Sequence, residues 1–69
     1  MSEIEIRPVA YRANGEVEWV PASEATAYGV YVGEPGAFEW RADFPTVPEA
    51  AAYARTLSAE TGAPVVFRD

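Results

Sequence analysis

The stretch FPTVPEAAAYARTLSAETG, residues 44–62, is the one segment of this chain with helical period, and both of its ends are marked. Thr46 and Glu49 have the spacing of a capping box. In that motif the threonine hydroxyl accepts from the backbone N–H of Glu49, and the carboxylate reaches back to the N–H of Thr46. Pro48 falls in the first turn, where a missing N–H costs nothing. Gly62 supplies a left-handed residue to close the helix, and Pro64 prevents continuation. Between these ends Val47, Ala50, Ala51, Ala54, Leu57, Ser58 and Thr61 line one stripe, with Tyr53 at its border. A stripe made mostly of alanine can approach a sheet closely but brings little apolar volume. The strands must supply the bulk of the core.

Upstream, residues 3–12 (EIEIRPVAYR) alternate polar and apolar, Asn14-Gly15 is a strong hairpin signal, and residues 16–20 (EVEWV) form the return strand. A two-residue turn there pairs Ala13 with Glu16, Tyr11 with Glu18, Ala10 with Trp19 and Val9 with Val20. One face then carries Ile4, Ile6, Ala10, Val17 and Trp19, with Arg12 at its rim. The other carries Glu3, Glu5, Arg7, Val9, Tyr11, Glu16 and Glu18. Pro8, lacking an N–H, is expected at an edge or a bulge, where that position faces solvent. Residues 21–27 (PASEATA) read as a loop. Residues 28–32 and 38–43 form a second hairpin about the turn Gly33-Glu34-Pro35-Gly36, with Tyr31 opposite Phe38 and Gly29 opposite Trp40. On that reading Tyr31, Phe38 and Trp40 fill the core, Trp19 and Trp40 both face the helix, and Tyr28, Val30, Val32, Glu39, Arg41 and Asp43 lie on the opposite face. A short terminal strand, Pro64 to Arg68, follows the helix. The pattern β-β-β-β-α-β predicts one α+β domain over residues 1–69: a two-layer fold in which a mostly antiparallel sheet of about five strands carries a single helix on one face.

Composition narrows the function. Sixty-nine residues without cysteine exclude disulfides and thiolate metal sites, and favour a reducing, cytoplasmic setting. The N-terminus MSEIEIRP lacks the basic and apolar segments of a signal peptide, and no apolar run approaches the roughly 20 residues that cross a bilayer. Eleven acidic residues against five arginines, with no lysine or histidine, leave a net charge of −6. Such a chain is repelled by phosphate backbones and attracted to basic surfaces, so direct nucleic-acid binding is not expected. Moderate negative charge also keeps a small domain soluble. Without His, Cys or Lys the usual general bases and activated nucleophiles are missing, and a non-enzymatic protein is expected, with no cofactor or metal. Oxygen ligands on regular strands do not wrap a cation as a loop does. The Gly33–Gly36 segment lacks the lysine and the following helix of a phosphate loop.

The segment from Phe38 to Phe67 resembles a pattern in short bacterial and phage domains, in which a strand leads into Thr-x-x-Glu-Ala, an alanine-rich helix, a glycine and a final valine strand. Its residues are caps, packing and turns, so the resemblance implies a fold and not an activity. More broadly, a small, acidic, cysteine-free sheet-plus-helix protein is similar to phage-encoded anti-CRISPR inhibitors. Some of these occupy basic nucleic-acid channels of surveillance complexes. No motif defines that group, so it assigns no residue here.

The sheet face away from the helix is the remaining candidate, with carboxylates set among tyrosine and valine. It is either an ordinary solvated face or an interface. On the second reading Glu3, Glu5, Tyr11, Glu16, Glu18 and Glu39 bind the partner, and the protein inhibits or regulates it by covering a basic surface, as a nucleic-acid mimic does. Like charges on neighbouring strands repel, and an arginine-rich partner would offset this. The alternatives are a structural or self-associating module using an exposed strand edge and a weak cation site at the carboxylates.

Overall fold

The computed structural model describes residues 2–68. Strands β1 (Glu3–Tyr11), β2 (Val17–Trp19), β3 (Ala27–Glu34) and β4 (Ala37–Phe44) precede helix α1 (Val47–Thr61), and β5 (Val65–Phe67) follows it. The order across the sheet is β2-β1-β3-β4, with β5 added parallel to β1. The protein is a small α+β domain with a mostly antiparallel sheet and one helix, as the sequence pattern requires.

Strand β1 is the axis of the sheet. One of its edges pairs along its length with β3. The other is divided, with Ile4–Ile6 taking β5 and Val9–Tyr11 taking β2. Pro8 lies between these two segments, inside a central strand and not at an edge as expected. The carbonyl of Pro8 accepts from the N–H of Val20, so its nitrogen points to the same side, into the gap where β5 ends and β2 begins. The missing N–H therefore breaks no ladder hydrogen bond.

Helix α1 begins and ends where its caps place it. Thr46 Oγ1 accepts from the Glu49 N–H at 3.4 Å, and Gly62 adopts φ +78° with its N–H bonded to the Ser58 carbonyl. The capping box differs in one detail: the Thr46 hydroxyl donates to the Glu49 carboxylate at 2.9 Å, where a carboxylate bond to the Thr46 N–H was expected. Ala50 and Ala54 are fully buried against Ile4, Ile6, Val30 and Ala63. Tyr28, Val32, Phe44, Ala51, Tyr53, Leu57 and Val65 close the rim of this core.

Both hairpin registers differ from expectation. At the first turn the Arg12 N–H bonds to the Glu16 carbonyl, and the Gly15 N–H to the Arg12 carbonyl. The loop is therefore three residues, Ala13-Asn14-Gly15, with Gly15 at φ +84°. One extra loop residue slides the pairing to Tyr11–Val17, Ala10–Glu18 and Val9–Trp19. That slip transfers Val17 and Trp19 to the face of Tyr11, and Glu18 to the opposite one. At the second turn Pro35-Gly36 alone makes the reversal, so Tyr31 pairs with Trp40, and a bulge at Arg41 then brings Asp43 opposite Gly29. The segment expected as a loop contains a single 3-10 turn, Ala22–Glu24.

Gly15 has open space around the position a Cβ would take, so its replacement tests conformation alone. Gly15→Ala is expected to destabilise the domain by about 1 kcal/mol through the left-handed φ. In urea unfolding this reads as a lower midpoint with an unchanged slope. A shift below a few tenths of a kcal/mol would show that the loop relaxes to another turn.

Candidate functional site

The register decides which side chains share the sheet face away from α1. In an antiparallel pair, directly opposed residues lie on one face, and alternate residues along a strand follow suit. From β1 this face receives Glu3, Glu5, Arg7, Val9 and Tyr11, from β2 Val17 and Trp19, from β3 Gly29 and Tyr31, and from β4 Phe38, Trp40 and, past the bulge, Asp43. The core expectation for Trp19, Tyr31, Phe38 and Trp40 is thus overturned, and so is the outward placement of Tyr28, Val30 and Val32. Val30 is fully buried under the helix, while Trp19 is 50% and Trp40 58% exposed. The reason is volume on one parity of β3. Tyr28, Val30 and Val32 can fill the space beneath an alanine-lined helix, whereas Gly29 and Gly33 beside Tyr31 cannot.

Two linked groups organise the face. The first centres on Glu5, a carboxylate only 2% exposed. Arg7 Nε donates to its Oε1 at 2.6 Å, and Arg68 Nε to its Oε2 at 3.1 Å. Arg68 also reaches Glu3 at 3.4 Å. Burial pushes the Glu5 carboxyl up, but the hydrogen bonds from Arg68 and Arg7 and the charge of Arg7 outweigh it and hold the group below the usual carboxylate range. The Arg7 guanidinium in turn lies over the Trp19 ring, 3.7 Å from its centroid. Trp19 meets Tyr31 edge to face at 5.5 Å and 82°.

The second group centres on Asp43. Its Oδ1 accepts from Trp40 Nε1 and its Oδ2 from the Tyr11 hydroxyl, each at 2.8 Å. The bond to Asp43 raises the pKa of the Tyr11 phenol, with burial and the carboxylate charge adding to it. Both donors are neutral, and no arginine pairs with Asp43 among the described residues. Gly29 makes this arrangement possible, since a Cβ there would stand 2.9 Å from the Tyr31 ring and 3.0 Å from Asp43 Oδ1.

The six residues expected to bind a partner do not form one acidic surface. Glu3, Glu5 and Tyr11 share the face described. Glu5 is buried and paired, Glu3 is paired with Arg68, and Tyr11 is half exposed. Glu18 and Glu39 pair with Ala10 and Val32, which places them on the helix side of the sheet. Glu18 there binds Arg12. Glu16 lies at the hairpin turn and bonds to Asn14. Among the described residues no group of three or more carboxylates stands close enough to hold a metal ion.

Sequence reasoning placed Arg7 and Asp43 on this face but missed Trp19, Tyr31, Trp40 and Arg68 as components of it. The glycine parity of β3 was the available signal. The three-residue alternative for an Asn-Gly turn was the other. No helix among the described residues is long and apolar enough to cross a membrane. Comparison with protein-family models, with curated proteins and with solved structures gave no match.

Proposed function

We propose that this chain is a non-enzymatic protein-binding domain that inhibits or regulates a basic partner, and that it binds through the sheet face away from α1. The observation that carries this reading is the pair of half-exposed tryptophans, with Tyr11 and Val17 also exposed beside them. Aromatic side chains held rigid by their own hydrogen bonds and ring contacts give large contact area at little entropic cost, which suits an interface and not a solvent coating. The net charge of −6 favours a basic partner and steers its approach. A nucleic-acid-binding complex, covered in the manner of an anti-CRISPR inhibitor, is one partner of that kind. Because Glu3, Glu5 and Glu18 are answered by arginines, the reading rests on overall charge and aromatic contact, not on a row of carboxylates that copies phosphates.

The test is capture from a lysate of the source cell on immobilised protein, wild type against a Trp19→Ala/Trp40→Ala double variant. A retained basic protein that elutes with salt and is lost from the double variant is the expected result. Identical retention by both proteins would remove this face from the proposal.

A second reading, self-association, draws on Phe67, which is 56% exposed on the terminal strand. It predicts a mass that rises with concentration and ignores salt. Strand β4 is less suited to such pairing, because its bulge and the charges of Glu39 and Arg41 blunt it.

A further inference from the structure

We infer that the Trp40–Asp43 corner of this face receives one arginine side chain of the protein partner. The inference rests on the protein-binding reading above and gives that interface its chemistry.

The molecule contains the same arrangement once already, complete. Arg7 lies over the Trp19 ring, 3.7 Å from its centroid, and donates to Glu5, so indole, guanidinium and carboxylate form one unit. At the other side of Tyr31 the indole and the carboxylate recur without the guanidinium. Trp40 Nε1 holds Asp43 Oδ1 at 2.8 Å, which sets the carboxylate beside the edge of the ring. The Trp40 ring has no aromatic or cationic partner among the described residues and is 58% exposed. A hollow of about 330 Å³, lined by Val17, Tyr31, Trp40 and Asp43, opens at this corner.

Each part of an arginine side chain has a counterpart there. A guanidinium can stack on an indole face while donating in its own plane; here Arg7 sits over the Trp19 ring and donates to Glu5. Asp43 is oriented by two neutral donors, from Trp40 and Tyr11, which fix its position without cancelling its charge. Each of its oxygens keeps a lone pair for a further N–H. The apolar walls of Val17 and Tyr31 suit the methylene stem, and they lower the water content around the ion pair. A lysine supplies charge but neither the planar stack nor the forked donors. The other carboxylates of this face, Glu3 and Glu5, are already matched by arginines within the chain, so the unmatched negative charge on this face is concentrated at Asp43.

The experiment is a ¹⁵N NMR titration that follows the two indole N–H signals, using acetyl-Gly-Arg-Gly-amide and its lysine and citrulline counterparts. The arginine peptide is expected to shift the Trp40 signal saturably and to leave Trp19 nearly unmoved, since Arg7 already occupies that ring. The citrulline peptide, which has the same shape without the charge, should bind at least fivefold more weakly, and the lysine peptide also more weakly than arginine. Asp43→Asn, which keeps an oxygen for the Trp40 indole, should lower the arginine affinity at least fivefold with amide dispersion retained. Trp40→Ala, followed by the backbone amide of Val17, should abolish the response. An unmoved Trp40 signal, equal binding of arginine and citrulline or of arginine and lysine, or unchanged affinity in Asp43→Asn would each overturn the inference. The two claims separate cleanly. Lysate capture that depends on the tryptophans, together with a silent Trp40 signal, sinks the arginine site and leaves the interface standing. A responsive Trp40 with tryptophan-independent capture does the reverse.

Discussion

Ile6→Ala is expected to lower the thermal midpoint by about 15 °C and to leave a large fraction of the molecules unfolded at room temperature, because it costs about 3 kcal/mol. Ile6 is 1% exposed, pairs with Val30 across β1 and β3, and lies in the core beneath Ala50 and Ala54. The helix contributes mainly methyl groups to that core, so Ile4, Ile6 and Val30 supply its centre. Removing most of one isoleucine leaves a cavity that two rigid alanines cannot fill by changing rotamer. A single core in a domain of this length rarely provides more than about 3–5 kcal/mol, so the loss is comparable with the whole. Circular dichroism melts and urea titration measure it. Val17→Ala, at an exposed position on the other face, is the control and should shift stability by less than about 0.5 kcal/mol. A loss below about 1 kcal/mol at Ile6 would mean that the helix settles onto the sheet, and that the core is less rigid than its packing implies.

Glu5→Gln is expected to have the next largest effect and to change how stability depends on pH. Glu5 ties the residue after the terminal strand to the central strand, through Arg68 on one oxygen and Arg7 on the other. Breaking a buried, doubly bonded carboxylate by removing its charge costs about 2–3 kcal/mol, toward the lower end for such pairs because both arginines can turn to water. The folded-state pKa of Glu5 is depressed below its unfolded value. Its contribution is therefore fully present above the unfolded value near 4.5 and is lost as pH falls through the depressed folded value. The charged groups facing it are Arg7 and Glu3 on its own strand and Arg68 beyond β5. Urea midpoints measured from pH 7 down to pH 2.5 should show wild type and Glu5→Gln well separated at neutral pH and converging in acid. Parallel curves across that range would show that the ion-paired charge of Glu5 adds nothing beyond what a glutamine amide supplies. Both proteins share the remaining carboxylates and the relief of net negative charge in acid, so the difference between the curves isolates Glu5.

Local signals were sufficient for the elements and for the fold class. The caps at Thr46 and Gly62, the prolines at 48 and 64 and the alanine stripe are short-range features whose meaning is settled within a few residues. The helix accordingly begins and ends where they place it. The order of elements along the chain and the two-layer class follow from alternation and turn residues in the same way, whereas the order of strands across the sheet is set by tertiary pairing. The faces of the strands were another matter. Asn14-Gly15 is compatible with a two- or a three-residue loop, and one residue of difference inverts every side chain on the return strand. Nothing inside the hairpin distinguishes the two. The choice is made when Ile4 and Ile6 must lie beneath the helix while Trp19 packs against Arg7 and Tyr31, contacts that join β1, β2 and β3. The same holds for Val30 against Tyr31 on β3. Helix α1 approaches closely and leaves room for valine, and the glycines flanking Tyr31 leave that parity too empty to form a core. Asp43 reaches the aromatic face only because the bulge at Arg41 inserts one residue into β4. Short-range chemistry thus determined which elements form and where they end. Which side of the sheet is core and which is surface depended on volume matched across the assembled layers, a quantity that no segment carries alone.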